Sequence, residues 1–367
     1  MRVRGRVVTP EGVLDDATVH VEGDRITEVA VGTSGDADLT ASWVVPGFVD
    51  LHVHGGGGFA FTDAGQARGA IAFHRGHGTT TMLASLVTAA RRETLDQTTA
   101  LAELVHSGEL AGVHLEGPYL STARCGAQNP AHLRDPDPAE LADLIGLGVV
   151  RSVTLAPELP GALPAIELLC KHGVVAAIGH TDATYEETRA AVEAGATLAT
   201  HLCNGMRPVH HRDPGPIIAL LDSPGVVCEA VADGVHLHDG MLRHIVGGAG
   251  ADRVALVTDA IAAAGMPDGE FDLGGLAVAV ADGVARLADA GTIAGSTLTM
   301  AAAFGRSVRS GLSVVDSVRM ASTTPARVLG LAGEVGSISA GLRADLVLLA
   351  DDLTVTAVVR AGEPWSS

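Results

Sequence analysis

The chain of 367 residues is 47% hydrophobic, so it can bury one large core and a smaller one, and one or two domains are expected. Its formal net charge of −19 and its single lysine, Lys171, predict a surface that repels nucleic acid and anionic membranes, which excludes both as partners. No uncharged apolar run reaches the ~18–20 residues of a membrane span, and the first residues, MRVRGRVVTPEG, lack the apolar segment of a signal peptide.

The cysteines are scattered and show no CxxC spacing. They are Cys125, Cys170, Cys203 and Cys228. This pattern predicts reduced thiols in a cytoplasmic protein.

Both ends of the chain predict short β-strands. Residues 1–46 read as strands with a hairpin-like turn at 22–24, and the residues from Gly336 onward look alike. Two β-rich ends that flank a different middle predict one small sheet domain made of residues 1–46 and 337–367, around a central domain of residues 47–336. In the alternative, the terminal strands extend the main sheet.

The middle of the chain alternates apolar, β-rich runs with segments rich in Ala, Leu and Glu. The predicted strands are 44–54, 79–86, 111–116, 152–156, 174–180, 197–202, 226–232 and 253–259. Predicted helices between them include 93–105, 138–145, 164–172 and 185–194. Eight strand–helix units fit a (β/α)8 barrel better than an open sheet, which more often has about five or six strands.

Polar side chains occur where these strands end. His52 and His54 are two residues apart in a strand and therefore project from the same face, and the four glycines that follow let the backbone turn sharply. Later strands end at, or are followed by, Glu116, His180, His201, His236 and Asp259. The carboxyl ends of barrel strands converge on one mouth. One such residue alone would be read as a capping or buried hydrogen-bonded group, but seven in phase with the strands predict a metal site.

Glu116, His180 and His201 form the principal predicted metal site. Imidazole and carboxylate ligands together suit Zn²⁺ or Fe²⁺. Three protein ligands leave a position open for water, which is the pattern of a catalytic zinc site. Zinc is therefore the expected ion, with iron, manganese or cobalt as alternatives.

His52 and His54 can hold a second divalent ion. Some binuclear hydrolases of this architecture use a carbamylated lysine as a bridge between two metals. Lys171 lies in a predicted helix before Gly173, so a lysine bridge is not expected and Glu116 takes that place.

Asp259, in the motif VALVTDA, is the expected proton acceptor. At the end of a buried strand and near a cation it should stay ionised beside the attacking water. Proton transfer from water to Asp259, and then to a leaving amine, would complete an amide hydrolysis. Its alternative role is to cap the N-terminus of the following segment, IAAAG, and the two roles could coexist.

A set of motifs spread over nearly the whole chain resembles the N-acetylglucosamine-6-phosphate deacetylases of the amidohydrolase superfamily. The motifs are PGFVDLHVHG, HLEGPYL, GHTDAT, THLCNGM, ADGVHLH, VTDA, AGSTLTM, TTPARVLGL and GSISAGLRADLVLL. The resemblance implies a (β/α)8 barrel with a small β-sandwich, and hydrolysis of the acetamide of N-acetyl-D-glucosamine 6-phosphate to D-glucosamine 6-phosphate and acetate. It also implies that Glu116, His180 and His201 bind the principal metal and that Asp259 is the proton shuttle.

The same resemblance implies the substrate contacts. Asn204 and Gly205 would meet the phosphate, as would Arg212 from the neighbouring subunit of a homodimer. The sugar contacts would be Ala127, Gln128, Asp233 to His236, and Ile293, Ala294 and Gly295. The segment NGMRPVHHRDPG agrees with a phosphate site, because an anionic protein needs local donors to hold a dianion.

The chain differs from some or many of these relatives in its first strand and in one loop. Some members lack the histidines of the first strand and bind one metal, whereas His52 and His54 are both present here and favour a second ion. Gln128 stands where many members have a histidine that polarises the substrate carbonyl. A neutral amide can donate a hydrogen bond but carries no proton, so more of the carbonyl activation would fall on the metal. Cys125 lies in the same loop, which is expected to be mobile.

Two other functions are consistent with parts of the sequence. One is a different amidohydrolase, dihydroorotase-like or D-aminoacylase-like, and the absence of a bridging lysine counts against several of these. The other is a non-catalytic barrel, which would be expected to lose metal ligands or Asp259, and none of these is missing.

Overall fold

The computed structural model describes residues 1–32 and 36–366, and an eight-stranded parallel sheet organises the middle of the chain. The strands pair in chain order as Phe48–Asp50, Thr79–Leu86, Gly112–Glu116, Val150–Leu155, Val175–Ile178, Leu198–Ala199, Val227–Val231 and Val254–Val257. A bridge between Val53 and Ala260 joins the segments that follow the first and last strands. The predicted (β/α)8 barrel is confirmed.

Burial on both faces explains the sequence of the barrel strands. Nearly every strand residue is buried, as expected for parallel strands covered by helices, so the strands read as continuous apolar runs instead of alternating ones. The helices are Ala67–Gly76, Arg91–His106, Pro138–Gly146, Ala162–Lys171, Tyr185–Glu193, Gly215–Leu221, Asp239–Ala249, Met300–Arg309, Val314–Val318 and Thr324–Val328. Short 3-10 turns occur at Thr122–Arg124, Pro130–His132 and Ala251–Arg253, and a π-turn at Arg319–Thr323.

The helix boundaries follow local capping chemistry. Thr184 begins one helix with a capping box, because its hydroxyl accepts from the Glu187 N–H while the Glu187 carboxylate accepts from Thr184. Asp137 caps the helix that starts with Pro138. The four predicted helices each match an observed one to within two residues.

The two chain ends meet in one seven-stranded sheet. Its order is Glu363–Pro364, Val355–Arg360, Leu346–Leu349, Leu39–Pro46, Arg2–Thr9, Gly12–Glu22 and Arg25–Val31. The register shifts beside Gly5, where an added Cβ would lie 2.4 Å from the Ala41 carbonyl oxygen, so glycine permits the bulge that bends this strand.

The terminal sheet buries an apolar cluster of its own that includes Val3, Val19, Ile26 and Leu346. The predicted small β-sandwich is confirmed, and its strands do not extend the barrel sheet. All seven strands lie within the predicted ranges, so we retain the division into residues 1–46 with 337–367 and residues 47–336 as a proposal.

A three-stranded antiparallel sheet, Gly269–Leu273, Leu276–Ala281 and Val284–Leu287, follows the last barrel strand. We name it the roof sheet. It shares an apolar cluster with Val87 and Ala127, and an added Cβ on Gly274 would lie 2.5 Å from Val87. The turn after Leu273 therefore reaches the end of the second barrel strand and covers part of the barrel mouth.

The structure also describes whether the cysteines are paired and whether any helix could cross a membrane. The four cysteines are free thiols, as predicted. Among the helices of the described ranges, none combines the length and apolar character needed to cross a membrane.

Candidate metal centre and active site

The strand ends bring six of the predicted residues into one buried group. His52 and His54 follow the first barrel strand, Glu116 is the last residue of the third, and His180, His201 and Asp259 each come two residues after a strand. Each of the six side chains is buried. Three of them, His180, His201 and Asp259, have positive φ angles of 47°, 28° and 50°. Non-glycine residues rarely adopt this left-handed conformation, and they cluster at functional sites.

Glu116, His180 and His201 form the first cluster. Oε1 of Glu116 lies 3.0 Å from Nε2 of both histidines, and the two Nε2 atoms are 3.1 Å apart. Nδ1 of His180 donates to the Arg124 carbonyl oxygen at 2.9 Å, which leaves a lone pair on its Nε2. A lone pair that faces a carboxylate oxygen needs a cation between them, so this donor set fits a divalent metal.

His52, His54 and Asp259 form the second cluster. The two Nε2 atoms are 3.0 Å apart, and Asp259 Oδ1 lies 3.4 and 3.3 Å from them. Nδ1 of His54 faces the Ser85 carbonyl oxygen at 3.2 Å and must donate to it. Nδ1 of His52 faces a Glu229 carboxylate oxygen at 3.2 Å. Both Nε2 lone pairs therefore point at each other, which again fits a bound cation.

Glu116 lies between the two clusters. Its Oε1 belongs to the first, while its Oε2 lies 3.2 Å from His54 Nε2. His52 Nε2 is 3.6 Å from Oε1. This is the geometry that the predicted bridging role requires, and Lys171 is exposed at the end of a helix.

Opposite charges keep the carboxylates of the group ionised. When no metal is bound, protons on the same Nε2 atoms can take its place: burial opposes ionisation of Glu116, but the charge of His52 and hydrogen bonds from His180 and His201 then lower its pKa well below the usual value. Burial likewise opposes ionisation of Asp259, and His52 and His54 lower its pKa. The same pairs raise the pKa of His52 and His54 in spite of their burial. Ionised carboxylates among imidazoles are ligands that a divalent cation can use directly.

Asp259 also faces His236, a histidine that is hydrogen-bonded to a second carboxylate. His236 Nδ1 donates to Asp233 Oδ2 at 2.7 Å, and His236 Nε2 lies 3.8 Å from Asp259 Oδ2. Burial lowers and the bond to Asp233 raises the pKa of His236, and the balance lies above the usual value. The alternative N-cap role of Asp259 is wrong, because the next α-helix in the described part of the chain begins at Met300.

A pocket opens onto both clusters. Of the predicted residues, His54, Glu116, Ala127, Gln128, His180, His201, Asn204, Gly205, His236, Asp259, Ile293 and Gly295 line it. His52 and Ala294 are fully buried and do not line it, and Asp233 lines another pocket. Leu273 of the roof sheet also lines the pocket, as do Gly126 and Thr292. These three were not predicted, because the loops that carry them are irregular or belong to the roof sheet.

The predicted phosphate residues divide into two groups. Asn204 and Gly205 line the pocket, and an added Cβ on Gly205, whose φ is 58°, would lie 2.9 Å from His180 Nδ1. Arg212 is exposed on the following loop, where its guanidinium meets His211 at 2.7 Å, and it does not line the pocket of its own chain. Arg207 is paired with Asp182 and Asp213.

Two buried side chains touch the ligands and were not predicted to do so. Gln128 donates to Glu116, a contact different from the predicted contact to sugar. Glu229 meets His52 and the backbone of His201. The sequence feature that could have identified Glu229 is its position as an acidic residue inside an apolar strand, VCEAV.

A (β/α)8 barrel that gathers histidines and carboxylates at the ends of its strands, around an open pocket, defines a metal-dependent hydrolase. The chain belongs to the amidohydrolase family, whose model matches residues 43–364. It is an amide hydrolase, and its two residue clusters suit a divalent metal.

Several relatives of the chain are named as deacetylases of N-acetylated sugar phosphates. The chain is 36% identical to the N-acetylgalactosamine-6-phosphate deacetylase of Escherichia coli O157:H7, over 98% of this chain and 97% of the relative. It is 34% identical to the N-acetylglucosamine-6-phosphate deacetylase of Lysinibacillus sphaericus, over 97% and 95% of the two chains. The N-acetyl-D-glucosamine-6-phosphate deacetylase of Mycobacterium smegmatis, solved as a mutant in complex with N-acetyl-D-glucosamine-6-phosphate, is 47% identical. That match covers 99% of this chain and 98% of the other, with a TM-score of 0.96. The resemblance noted in the sequence is confirmed.

Proposed function

We propose that the enzyme hydrolyses the acetamide of N-acetyl-D-glucosamine 6-phosphate and releases D-glucosamine 6-phosphate and acetate. The observation that carries this proposal is the likeness, along 99% of the chain, to a deacetylase solved with that sugar phosphate. The pocket above the two clusters supports it, because it is lined by Asp259, a buried carboxylate 3.3 Å from the candidate ligand His54.

The metal roles are part of the proposal. Glu116, His180 and His201 would hold the principal ion, and His52 and His54, with Asp259 beside them, a second one. Nitrogen and oxygen donors without thiolate suit zinc, with iron, manganese or cobalt as alternatives. When bound, a divalent ion would supply a Lewis acid that polarises the amide carbonyl and makes water more acidic.

Asp259 would move the protons. Its low pKa keeps it ionised, so it can accept a proton from the attacking water as the water oxygen bonds to the carbonyl carbon. Asp259 would then return that proton to the amide nitrogen as the C–N bond breaks, which yields the free amine and acetate. His236, fixed by Asp233 and close to Asp259, would orient the sugar beside this carboxylate.

The rest of the pocket would hold the sugar phosphate. Asn204 and Gly205 would meet the phosphate, and Arg212 of the neighbouring subunit of a homodimer would neutralise it. The exposed position of Arg212 outside its own pocket is consistent with a contribution across an interface. The remaining proposed sugar contacts are Ala127, Gln128, Asp233, His236, Ile293, Ala294 and Gly295. We also propose a cytoplasmic location, because four free thiols persist best in a reducing compartment.

A second candidate substrate is N-acetyl-D-galactosamine 6-phosphate, which differs only in the configuration at C4. The 36% identity to a deacetylase named for that sugar favours it. Both candidates share the acetamide and the phosphate, so the residues proposed here would serve either reaction.

Acetate release by the zinc-loaded enzyme tests the proposal. We expect the highest kcat/KM on N-acetyl-D-glucosamine 6-phosphate and a low value on unphosphorylated N-acetyl-D-glucosamine. A higher kcat/KM on N-acetyl-D-galactosamine 6-phosphate would instead support the second candidate substrate. Release from neither phosphorylated sugar, with metal bound, would refute both.

A further inference from the structure

Glu229 is a buried carboxylate beneath the metal centre. It lies in the middle of the seventh barrel strand, Val227–Val231, and only 1% of its surface is exposed. Burying a carboxylate is costly unless it is well hydrogen-bonded. We therefore expect hydrogen bonds that offset the cost of burying Glu229.

One oxygen of Glu229 touches both candidate metal clusters. Its Oε2 lies 3.2 Å from Nδ1 of His52, in the second cluster. The same atom accepts from the backbone N–H of His201, in the first cluster, at 3.2 Å. The contact with His52 is to a side chain, whereas the contact with His201 is to the backbone only.

The contact with His52 determines which nitrogen can bind a metal. A carboxylate beside Nδ1 fixes the proton on that nitrogen and leaves the lone pair on Nε2. His52 Nε2 is the atom that faces His54 and Asp259. The ring of His114 packs edge-on against the His52 ring, with centroids 4.6 Å apart, and prevents it from turning away.

Nδ1 of His52 contacts a charged carboxylate, and in this His52 differs from the other three candidate histidine ligands. Nδ1 of His54 and Nδ1 of His180 meet neutral backbone carbonyls, of Ser85 and Arg124. Nδ1 of His201 is buried and has no hydrogen-bond partner within the described ranges. A carboxylate increases the basicity of the imidazole it contacts more than a carbonyl does.

We propose that Glu229 is a positioning residue that makes His52 an Nε2 ligand and thereby controls loading of the second metal site. This inference rests on the proposed metal centre. Glu229 does not touch the pocket, so it acts on substrate only through His52 and the His201 backbone.

The test is zinc binding by the full-length Glu229→Gln variant. Gln keeps the size and an acceptor oxygen but loses the charge. We expect the dissociation constant of the second Zn²⁺ to rise about 10–100-fold, the range typical for loss of an outer-shell partner, and that of the first to stay within about twofold. Glu140→Gln is the matched control, because Glu140 is equally buried but paired with Arg134 away from the site, and it should leave both constants unchanged.

A double variant and an NMR measurement complete the test. In a His52→Ala background, Glu229→Gln should cause no further loss of zinc. Long-range ¹H–¹⁵N spectra of the wild-type enzyme should show His52 protonated on Nδ1, and this readout remains informative if Glu229→Gln fails to fold.

Each contrary result has a distinct meaning. A Glu229→Gln variant that binds both ions like the wild type, or loses both equally, overturns the role of Glu229 alone. A His52 protonated on Nε2 overturns it as well. A wild-type enzyme that binds no zinc at either cluster instead refutes the proposed metal centre on which the inference rests.

Discussion

Gln128 donates a hydrogen bond from Nε2 to Oε2 of Glu116 across 2.5 Å. Its Oε1 accepts from the backbone N–H of Thr88 at 2.7 Å, and the side chain is 4% exposed. The Thr88 backbone thus fixes the amide of Gln128, and the amide in turn holds Glu116, the residue that lies between the two clusters.

The first prediction replaces Gln128 with methionine, which has a similar length and no hydrogen-bonding groups. Glu116 would lose its fixed orientation, so metal affinity at the first cluster should fall about 10–100-fold. The unpaired Thr88 N–H should cost roughly 1–3 kcal/mol of unfolding free energy. Zinc titration and denaturant unfolding measure the two effects. Gln66→Met on the surface is the control, and equal zinc affinity in the two variants would contradict the assignment.

The second prediction separates the two metal sites by mutation. Glu116→Gln or His201→Ala should lose the principal metal and most activity, because removing one of three ligands leaves the ion weakly held. His52→Ala should lower the metal stoichiometry and leave the Glu116 site occupied. Metal content after dialysis, alongside turnover, checks both. His106→Ala on an exposed helix end should match the wild type. Full occupancy with normal turnover in Glu116→Gln would exclude Glu116 as a ligand.

The third prediction concerns Asp259. Asp259→Asn should keep most metal and substrate binding while turnover falls by about 10²–10⁴-fold, at or above the upper end because one residue serves both proton transfers. The amide matches the carboxylate in size but cannot accept the proton of water. Single-turnover acetate release on the metal-loaded variant measures the loss, with the exposed Asp96→Asn as control. Turnover within about tenfold of the wild type would mean that another group accepts the proton.

Strand periodicity predicted the barrel, the five candidate ligands and the candidate proton acceptor Asp259, because all of these depend on local pattern. A parallel strand buried on both faces must be continuously apolar, so a polar residue at its end is conspicuous. Asp259 and His201 could therefore be found from VALVTDA and THLCNGM without knowledge of the loops. The joining of the two chain ends was predicted because both ends are β-rich and flank a middle with a different pattern.

The roof sheet and the contacts of Gln128 and Glu229 could not be found in this way. The roof sheet does carry hairpin signals, Gly274-Gly275 and Asp282-Gly283, but the stronger strand–helix alternation ends before it. The bond from Gln128 to Glu116 depends on the path of an irregular loop that sequence does not fix. Glu229 lies in strand seven and contacts His52, which follows strand one. This contact depends on how the barrel closes between strands eight and one.

The last prediction concerns the phosphate and the dimer together. If Arg212 reaches the partner's pocket, Arg212→Ala should raise KM for the 6-phosphate sugar and leave the poor reaction of the unphosphorylated sugar almost unchanged. A charge-assisted contact to phosphate contributes roughly 1.5–3 kcal/mol, which is about one to two decades in kcat/KM. The exposed Arg92→Ala should have no such effect.

Mixing two impaired homodimers tests whether Arg212 acts across the interface. Arg212→Ala and Asp259→Asn would disable different halves of a composite site. After subunit exchange, one site in each heterodimer would combine an intact Asp259 with the partner's intact Arg212, so some activity should return. Mass spectrometry measures how many heterodimers form. If they form and activity does not return, Arg212 acts within its own subunit or takes no part in binding the phosphate.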